Sequence, residues 1–80
     1  MKKLEIIRAI DKIVSNSAAW TIGITDDPIR RKIQHNSPAC WRDWEADTEA
    51  IARNVEKHFL DKGMKGGGGG GDHPNHVYVF

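Results

Sequence analysis

Residues that could bind a metal ion or a phosphate group stand close together around residue 72. Asp72, His73 and His76 are metal-ligand types, but their spacing is short and no fourth ligand is evident, so turn chemistry is the favoured interpretation. Six consecutive glycines, residues 66–71, precede them. A phosphate-binding glycine loop needs glycines at set positions and a Lys-Ser/Thr pair that opens a helix. Here Lys65 comes before the glycines and a β-prone segment follows, which favours a flexible flap or a spacer.

A basic cluster with a nearby histidine lies in the first half of the chain. Arg31 stands within Arg30-Arg31-Lys32, and His35 follows one helical turn later. Taken alone, such arginines are typical of a solvated helix face, and a histidine at a helix C-terminus is favoured by the helix dipole. Glu56, further along, is equally typical of a helix surface. Any chemistry for these residues therefore depends on the elements that position them.

Length and composition predict a single globular domain, residues 1–80, with a flexible glycine-rich loop at 64–75. Of 80 residues, 39% are hydrophobic and 29% are charged. Twelve Lys/Arg against eleven Asp/Glu argue against a strongly basic coat protein or a polybasic membrane binder. A single cysteine excludes an internal disulfide, and no apolar run suits a membrane span or a signal peptide. The expected location is the cytoplasm, and homodimerisation or a larger assembly would add buried area.

Two long segments have helical apolar spacing. Hydrophobic residues recur at intervals of three and four between Leu4 and Val14, which predicts a helix over about residues 3–15. The same spacing predicts a helix over about residues 48–62, and Gly63 is a suitable residue to end it. Each helix is expected to bury its apolar stripe.

A shorter helix, about residues 28–35, is predicted between these two. Asp27 is a suitable N-cap, and Pro28 suits the first helical position because proline lacks the amide hydrogen that is unpaired there. Ile29 and Ile33 are four residues apart and form the expected apolar face of this helix.

Strands are predicted at about residues 20–25, 40–45 and 76–80 from their β-branched and aromatic content. The middle segment is ambiguous, because its tryptophan spacing of three also fits a helix. Gly23 lies inside the first strand, where a glycine often marks a bulge or a close approach by backbone or ligand. The predicted fold class is α+β, with a small two- or three-stranded sheet flanked by three helices.

The segment from residue 21 to residue 35 resembles the second half of the GIY-YIG endonuclease signature. In that superfamily a strand ending in Tyr-Ile/Val-Gly leads through a polar loop into a helix with an essential arginine and often a histidine one turn later. Ile22 and Gly23 match the last two letters of the second motif, Arg31 falls at the arginine and His35 at the histidine.

The resemblance also indicates a metal ligand. A later helix in the superfamily contributes a metal-binding glutamate a few residues after an alanine, and Ala52-Arg53-Asn54-Val55-Glu56 fits that pattern. Glu56 is therefore the implied ligand of a Mg²⁺ ion. The resemblance covers about residues 20–60, and it favours a third strand at Trp41 to Glu45.

Two departures from the pattern concern tyrosine. No Gly-Ile-Tyr strand precedes residue 20, and Thr21 replaces the tyrosine of the second motif. The only tyrosine, Tyr78, belongs to the last predicted strand. We hypothesise that this strand lies beside residues 20–25 and supplies Tyr78 from the opposite end of the chain, in a permuted version of the site.

The activity that the resemblance implies is Mg²⁺-dependent hydrolysis of a DNA phosphodiester. Arg31 would bind phosphoryl oxygens as a fork, Glu56 would hold the metal, and Tyr78 or His35 would orient or deprotonate the attacking water. Residues 1–35 hold seven Lys/Arg against four Asp/Glu, so the half with Arg31 is the positive one. Two alternatives stay open: a catalytically inactive domain of the same fold that binds nucleic acid or protein, and an unrelated small α+β interaction module.

Overall fold

The computed structural model describes the secondary structure of residues 1–80 and the side-chain surroundings of residues 1–68 and 71–80. The predicted α+β class is confirmed. Helices and strands alternate along most of the chain, with one short 3₁₀ turn. In chain order they are α1 (Lys3–Ile13), the 3₁₀ turn (Ser17–Ala19), β1 (Thr21–Thr25), α2 (Pro28–Gln34), β2 (Arg42–Glu45), α3 (Glu49–Asp61), β3 (Lys65–Gly70) and β4 (His76–Val79).

The sheet has four strands in the order β2-β4-β1-β3. β4 is antiparallel to both of its neighbours, whereas β3 is parallel to β1. The last strand of the chain therefore lies beside the first, as predicted, and Tyr78 is directly opposite Gly23. Successive side chains of a strand point to opposite faces, so each strand contributes to two different layers.

One face of the sheet packs against α1 and α3 and forms the hydrophobic core. Burial of aliphatic side chains in this layer is the main source of stability, at about 1.5–3 kcal/mol for each large side chain. Val77 and Val79 of β4 point into the core, which directs Tyr78 between them to the other face. The buried core residues are Ile6, Ile7, Ile10, Ile22, Ile24, Ala46, Ala52, Val55, Phe59, Met64, Val77 and Val79.

Capping hydrogen bonds and a glycine mark the ends of the helices. The Asp27 carboxylate accepts a hydrogen bond from the Arg30 amide at 3.0 Å, which confirms the predicted N-cap of α2. The Thr48 hydroxyl accepts one from the Ile51 amide at 3.2 Å. Gly63 follows α3 with φ of 104°, a left-handed conformation that glycine adopts without strain. In the described part of the chain, no helix is both long enough and apolar enough to cross a membrane.

The orientation of α2 differs from the prediction. Ile29 and Ile33 are 75% and 66% exposed, whereas Arg31 and His35 are partly buried. The predicted apolar face of this helix is therefore wrong, and its polar residues face the sheet instead. The physical reason is that α2 lies outside the α1/α3 layer, against a face of the sheet that presents Tyr78 rather than an aliphatic surface.

The glycine run forms a fourth strand, β3, where the sequence predicts a loop over residues 64–75. Polyglycine has no β-propensity and no alternating pattern, so nothing local indicates a strand. β3 pairs with β1 through backbone groups, starting at Thr21↔Lys65 and Ile22↔Gly66. The register then shifts, so that Gly67 and Gly68 lie opposite the single residue Gly23, which is the geometry of a β-bulge.

Glycine at position 23 is predicted to be necessary for stability. A methyl group there would overlap the phenol ring of Tyr78, whereas one at Gly66 would meet only Leu60 Cδ2 at 3.7 Å, an ordinary contact. We expect Gly23→Ala to lower the free energy of unfolding by about 1–3 kcal/mol, as overpacking does, and Gly66→Ala to have a much smaller effect. Urea unfolding followed by tryptophan fluorescence measures both. Equal effects of the two substitutions would contradict this account of the sheet.

Candidate functional site

Tyr78 is the centre of the candidate site, on the face of the sheet opposite the core. Its phenol ring lies across Gly23 of β1 and reaches Gly67 of β3, since a Cβ at either glycine would collide with it. The Tyr78 hydroxyl donates a hydrogen bond to the Gly68 carbonyl at 3.1 Å. Gly68 has φ of 69°, so the bulge in β3 turns this carbonyl toward the phenol. The side chain of Tyr78 is fully buried.

Trp41 covers the other side of the Tyr78 ring. The two rings are stacked, with centroids 4.5 Å apart and an interplanar angle of 9°. The Trp41 Nε1–H donates to Asp43 Oδ2 at 2.7 Å, which holds the indole in place. The sequence does not indicate Trp41 or Asp43 as part of the site. The only available signal was Gly23, a strand glycine that suggested a close approach.

His35 brings α2 into the site. Its Nε2 lies 3.2 Å from the Tyr78 hydroxyl oxygen, and its ring lies 4.7 Å from that of Phe80. Immediately after His35, Asn36 and Ser37 both have positive φ angles, so the chain reverses sharply between α2 and Trp41. A phenol has one hydrogen to donate. When it is donated to the Gly68 carbonyl, His35 Nε2 can pair with the phenol oxygen only as an N–H donor.

The charges of Arg31 and Glu56 both act on Tyr78. Burial raises the pKa of the Tyr78 hydroxyl, the Arg31 guanidinium opposes this rise, and the Glu56 carboxylate adds to it. Tyr78 is therefore protonated near neutral pH. The structure thus brings two of the four predicted site residues into contact, His35 and Tyr78, whereas Arg31 on α2 and Glu56 on α3 shift the pKa of the Tyr78 hydroxyl through their charge. Their catalytic and metal-binding roles stay predictions.

Glu56 is a half-buried carboxylate on α3. It makes no hydrogen bond or ion pair within residues 1–68 and 71–80. Its neighbour Arg53 pairs with Glu49 instead, at 2.7 Å. Burial raises the pKa of Glu56, and the positive charge of Arg53 offsets only part of that rise. A cation bound beside Glu56 would therefore stabilise the ionised form of its carboxyl group.

The residues present fit a Mg²⁺ ion better than a transition metal. Among the described residues, no group of three or more His, Cys, Asp or Glu side chains is arranged to hold an ion. His76 lies 4.0 Å from Glu45 and belongs to no such group. Mg²⁺ commonly binds through one or two carboxylates and completes its coordination with water and substrate phosphate. Glu56 alone could serve as that protein ligand.

An open polar groove adjoins the site on the side of α2. It has a volume of about 320 Å³, within the range of small ligand sites. Arg31 lines this groove, and its guanidinium donates to Gln34 Oε1 at 2.9 Å. The same arginine therefore connects the groove with the surroundings of Tyr78. The groove is lined by Thr25, Asp26, Asp27, Arg30, Arg31, Gln34 and Gly71.

Comparison with known proteins finds no relative of this chain. No protein-family model, curated protein or solved structure matches the chain. The resemblance to the GIY-YIG superfamily therefore stays a prediction, which rests on the motif residues of the sequence.

The burial of Glu56 has a consequence for stability. A carboxyl whose pKa is raised by folding stabilises the folded state at low pH, and this contribution is lost as the pH rises through the folded-state pKa. Glutamine mimics the protonated form. We therefore expect Glu56→Gln to raise the melting temperature relative to the wild type at pH 7, with the difference shrinking toward pH 4, below the ordinary glutamate pKa of 4.5.

Thermal unfolding followed by circular dichroism across this pH range measures the effect. Asp61→Asn removes the same charge from an exposed position on the same helix and is the matched control. An equal gain in Asp61→Asn would assign the effect to net charge. A gain for Glu56→Gln that did not change with pH would contradict the role of carboxyl burial.

Proposed function

We propose that Tyr78, His35, Arg31 and Glu56 form a divalent-metal-dependent phosphodiesterase site that acts on nucleic acid, in a permuted arrangement of the GIY-YIG type. The observation that carries this proposal is the contact between His35 Nε2 and the Tyr78 hydroxyl at 3.2 Å; the charges of Arg31 and Glu56 shift the pKa of that hydroxyl in opposite directions. These residues come from two helices and a strand that are far apart in sequence. An arginine, a carboxylate, a tyrosine and a histidine together supply the groups that phosphodiester hydrolysis needs.

Each residue has a role that follows from its surroundings. Arg31 binds two oxygens of the phosphate and stabilises the charge that grows on them during attack. Glu56 would hold the Mg²⁺ ion, whose chemistry there would be to neutralise phosphate charge and to lower the pKa of a water molecule bound to it. Tyr78 is protonated near neutral pH and donates its hydrogen to the Gly68 carbonyl, so it orients the attacking water through its oxygen as an acceptor rather than acting as a tyrosinate base. His35 donates its Nε2–H to the same hydroxyl, so its Nδ1 is the nitrogen that can accept the proton that leaves this water.

The unusual orientation of α2 supports a functional role for its polar face. Exposing Ile29 and Ile33 forgoes burial that contributes about 1.5–3 kcal/mol for each side chain. The same orientation brings His35 Nε2 to the Tyr78 hydroxyl and leaves Arg31 partly buried at the groove. Local arrangements that cost stability are typical of functional sites, because the chemistry requires polar groups at a set place.

One observation favours a second candidate, a catalytically inactive domain of the same fold that binds nucleic acid. The Tyr78 side chain is fully buried, and its hydroxyl already has partners in Gly68 and His35. A buried hydroxyl with these two partners can have a purely structural role. In that case the groups on α2 would bind phosphate without cleaving it.

Partners and location stay predictions. Nucleic acid is the partner that the proposed chemistry implies. A homodimer or a larger assembly would help a chain of formal charge +1 to hold such a substrate, and the exposed side chains of Ile29 and Ile33 offer an apolar surface for association. A cytoplasmic location is the expectation from the sequence.

Cleavage of DNA tests the proposed function. We expect the protein to cleave plasmid or branched DNA in the presence of Mg²⁺, and EDTA to abolish the activity. Arg31→Ala and Tyr78→Phe are each expected to lower the rate by about 10²–10³-fold, because each removes a group that stabilises or orients the transition state. Glu56→Gln is expected to lower the cleavage rate by a similar factor. Gel electrophoresis of the products measures the rate.

Two substitutions outside the site serve as controls for charge. Lys32→Ala lies beside Arg31 on α2, and Asp61→Asn lies on the same helix as Glu56. Both are expected to retain nearly full activity. Salt-dependent DNA binding without cleavage by the wild type would select the inactive alternative, and neither binding nor cleavage would favour an unrelated interaction module.

A further inference from the structure

β3 is the more accessible of the two edges of the sheet. The sheet ends at β2 on one side and at β3 on the other. An edge strand directs backbone N–H and C=O groups away from the sheet, and these groups can pair with a further strand. β2 is short and carries three charged residues, Arg42, Asp43 and Glu45, which oppose such pairing. β3 consists of Lys65 and five glycines, so almost no side chain protects its outer edge.

The pairing of β1 shows which backbone groups of β3 point outward. Thr21 exchanges two backbone hydrogen bonds, 2.7 and 3.0 Å long, with the residue that follows β4. Because backbone groups alternate in direction along a strand, those of Ile22 and Ile24 point to β3 on the opposite side. In a parallel ladder, a residue that points to the neighbouring strand has a partner there whose own groups point away. Gly66 pairs with the first of these isoleucines and Gly69 with the second, so both glycines present an N–H and a C=O at the free edge.

A second copy of β3 matches these outward groups. In an antiparallel pair of β3 strands, Gly66 of each copy can lie opposite Gly69 of the other, and each of these pairs exchanges two N–H···O hydrogen bonds. The two-fold axis then passes between Gly67 and Gly68, at the bulge. The bulge sets the outward residues three positions apart instead of two. A copy of the same strand has the same spacing, whereas a regular strand from another protein would fall out of register by one residue.

The two ends of β3 differ in charge. Lys65 begins the strand and Asp72 follows its end, and both side chains are exposed. Within residues 1–68 and 71–80, neither side chain forms an ion pair. The antiparallel register sets Lys65 opposite Gly70 of the second copy and thus near Asp72 of that copy, and the two-fold axis repeats this approach at the other end. The charges at the edge therefore favour a second copy in this register.

We propose that the outer edge of β3 is a dimer interface, at which the four-stranded sheets of two copies of this chain join into one continuous sheet. The two-fold axis is perpendicular to the sheet, so Tyr78 and α2 lie on the same face in both copies. The β2 strands become the two outer edges, and their charged residues oppose further growth. The interface is independent of the proposed function, since it uses only the edge of the sheet.

Sedimentation velocity of the full chain tests this association. The interface has few hydrogen bonds and no apolar centre, so we expect a monomer–dimer equilibrium with a dissociation constant of about 1 μM to 1 mM. Gly66→Pro removes the outward N–H, and an edge strand accepts proline where its N–H faces solvent. Gly66 does not have a positive φ, which suits proline. We expect the dissociation constant to rise by more than about tenfold, because a hydrogen bond is lost at each of two symmetric positions.

Gly66→Ala is the matched control for the proline variant. It keeps the backbone N–H, and its methyl group would meet only Leu60 Cδ2 at 3.7 Å. The dissociation constant is therefore expected to change by less than about twofold. Near-UV circular dichroism of both variants checks that the native fold is kept.

Exchanging the charges at the ends of β3 tests the register without proline. Lys65→Glu and Asp72→Lys each bring like charges together at both ends of the interface, so each variant is expected to dimerise about tenfold more weakly than the wild type. The double variant restores opposite charges at both ends and has the same net charge as the wild type. We therefore expect its dissociation constant to lie within about twofold of the wild-type value.

Three results would overturn the dimer interface: a wild type that stays monomeric up to about 1 mM, equal dissociation constants for Gly66→Pro and Gly66→Ala, and a double charge variant that associates no more tightly than the single ones. If Gly66→Pro loses the native fold, the charge variants decide alone. Ile33→Ser removes an exposed apolar side chain from α2 and is expected to leave the dissociation constant unchanged. Weaker association in Ile33→Ser but not in Gly66→Pro would assign the interface to α2 instead of β3.

Discussion

The phenol ring of Tyr78 lies flat against the backbone of two strands, and this close approach constrains much of the surrounding structure. It requires Gly23 and Gly67 to lack a Cβ, because a side chain at either position would occupy the space of the ring. The bulge at Gly67 and Gly68 then directs a backbone carbonyl to the hydroxyl. Trp41 closes the remaining side of the ring by stacking. A run of glycines that looks like a featureless linker in the sequence is thus the surface on which the only tyrosine rests.

The same contact organises the polar face of the protein. Because β4 directs its valines to the core, Tyr78 projects to the opposite face, where α2 rather than α1 or α3 lies. α2 meets this face with Arg31 and His35, and its isoleucines point outward. The molecule therefore has a conventional aliphatic layer on one side of the sheet and a layer of aromatic and charged groups on the other. Stability comes mainly from the first layer, and the contact between His35 and Tyr78 lies in the second, whereas Glu56 belongs to α3 of the first.

Local sequence patterns predicted most of the elements, and their failures have physical explanations. The helices at Lys3–Ile13 and Glu49–Asp61 followed from apolar spacing, because their stripes cover a true core. The same reasoning failed for Ile29 and Ile33, since spacing identifies an apolar face but cannot indicate whether a partner surface exists for it. β3 is not predictable from the sequence, because its pairing depends on backbone hydrogen bonds to β1 and a glycine segment contains no side-chain signal for them.

For the candidate site, the sequence by itself determined the residue types: an arginine and a histidine one turn apart on a short helix, a carboxylate on a long one, and a single tyrosine in the last strand. Local forces are enough to place each of them on its element. Only the tertiary structure decided that the histidine meets the tyrosine, because strand pairing and burial are interactions between distant segments. The antiparallel pairing of β4 with β1 sets Tyr78 opposite Gly23, and no spacing within either segment encodes that register.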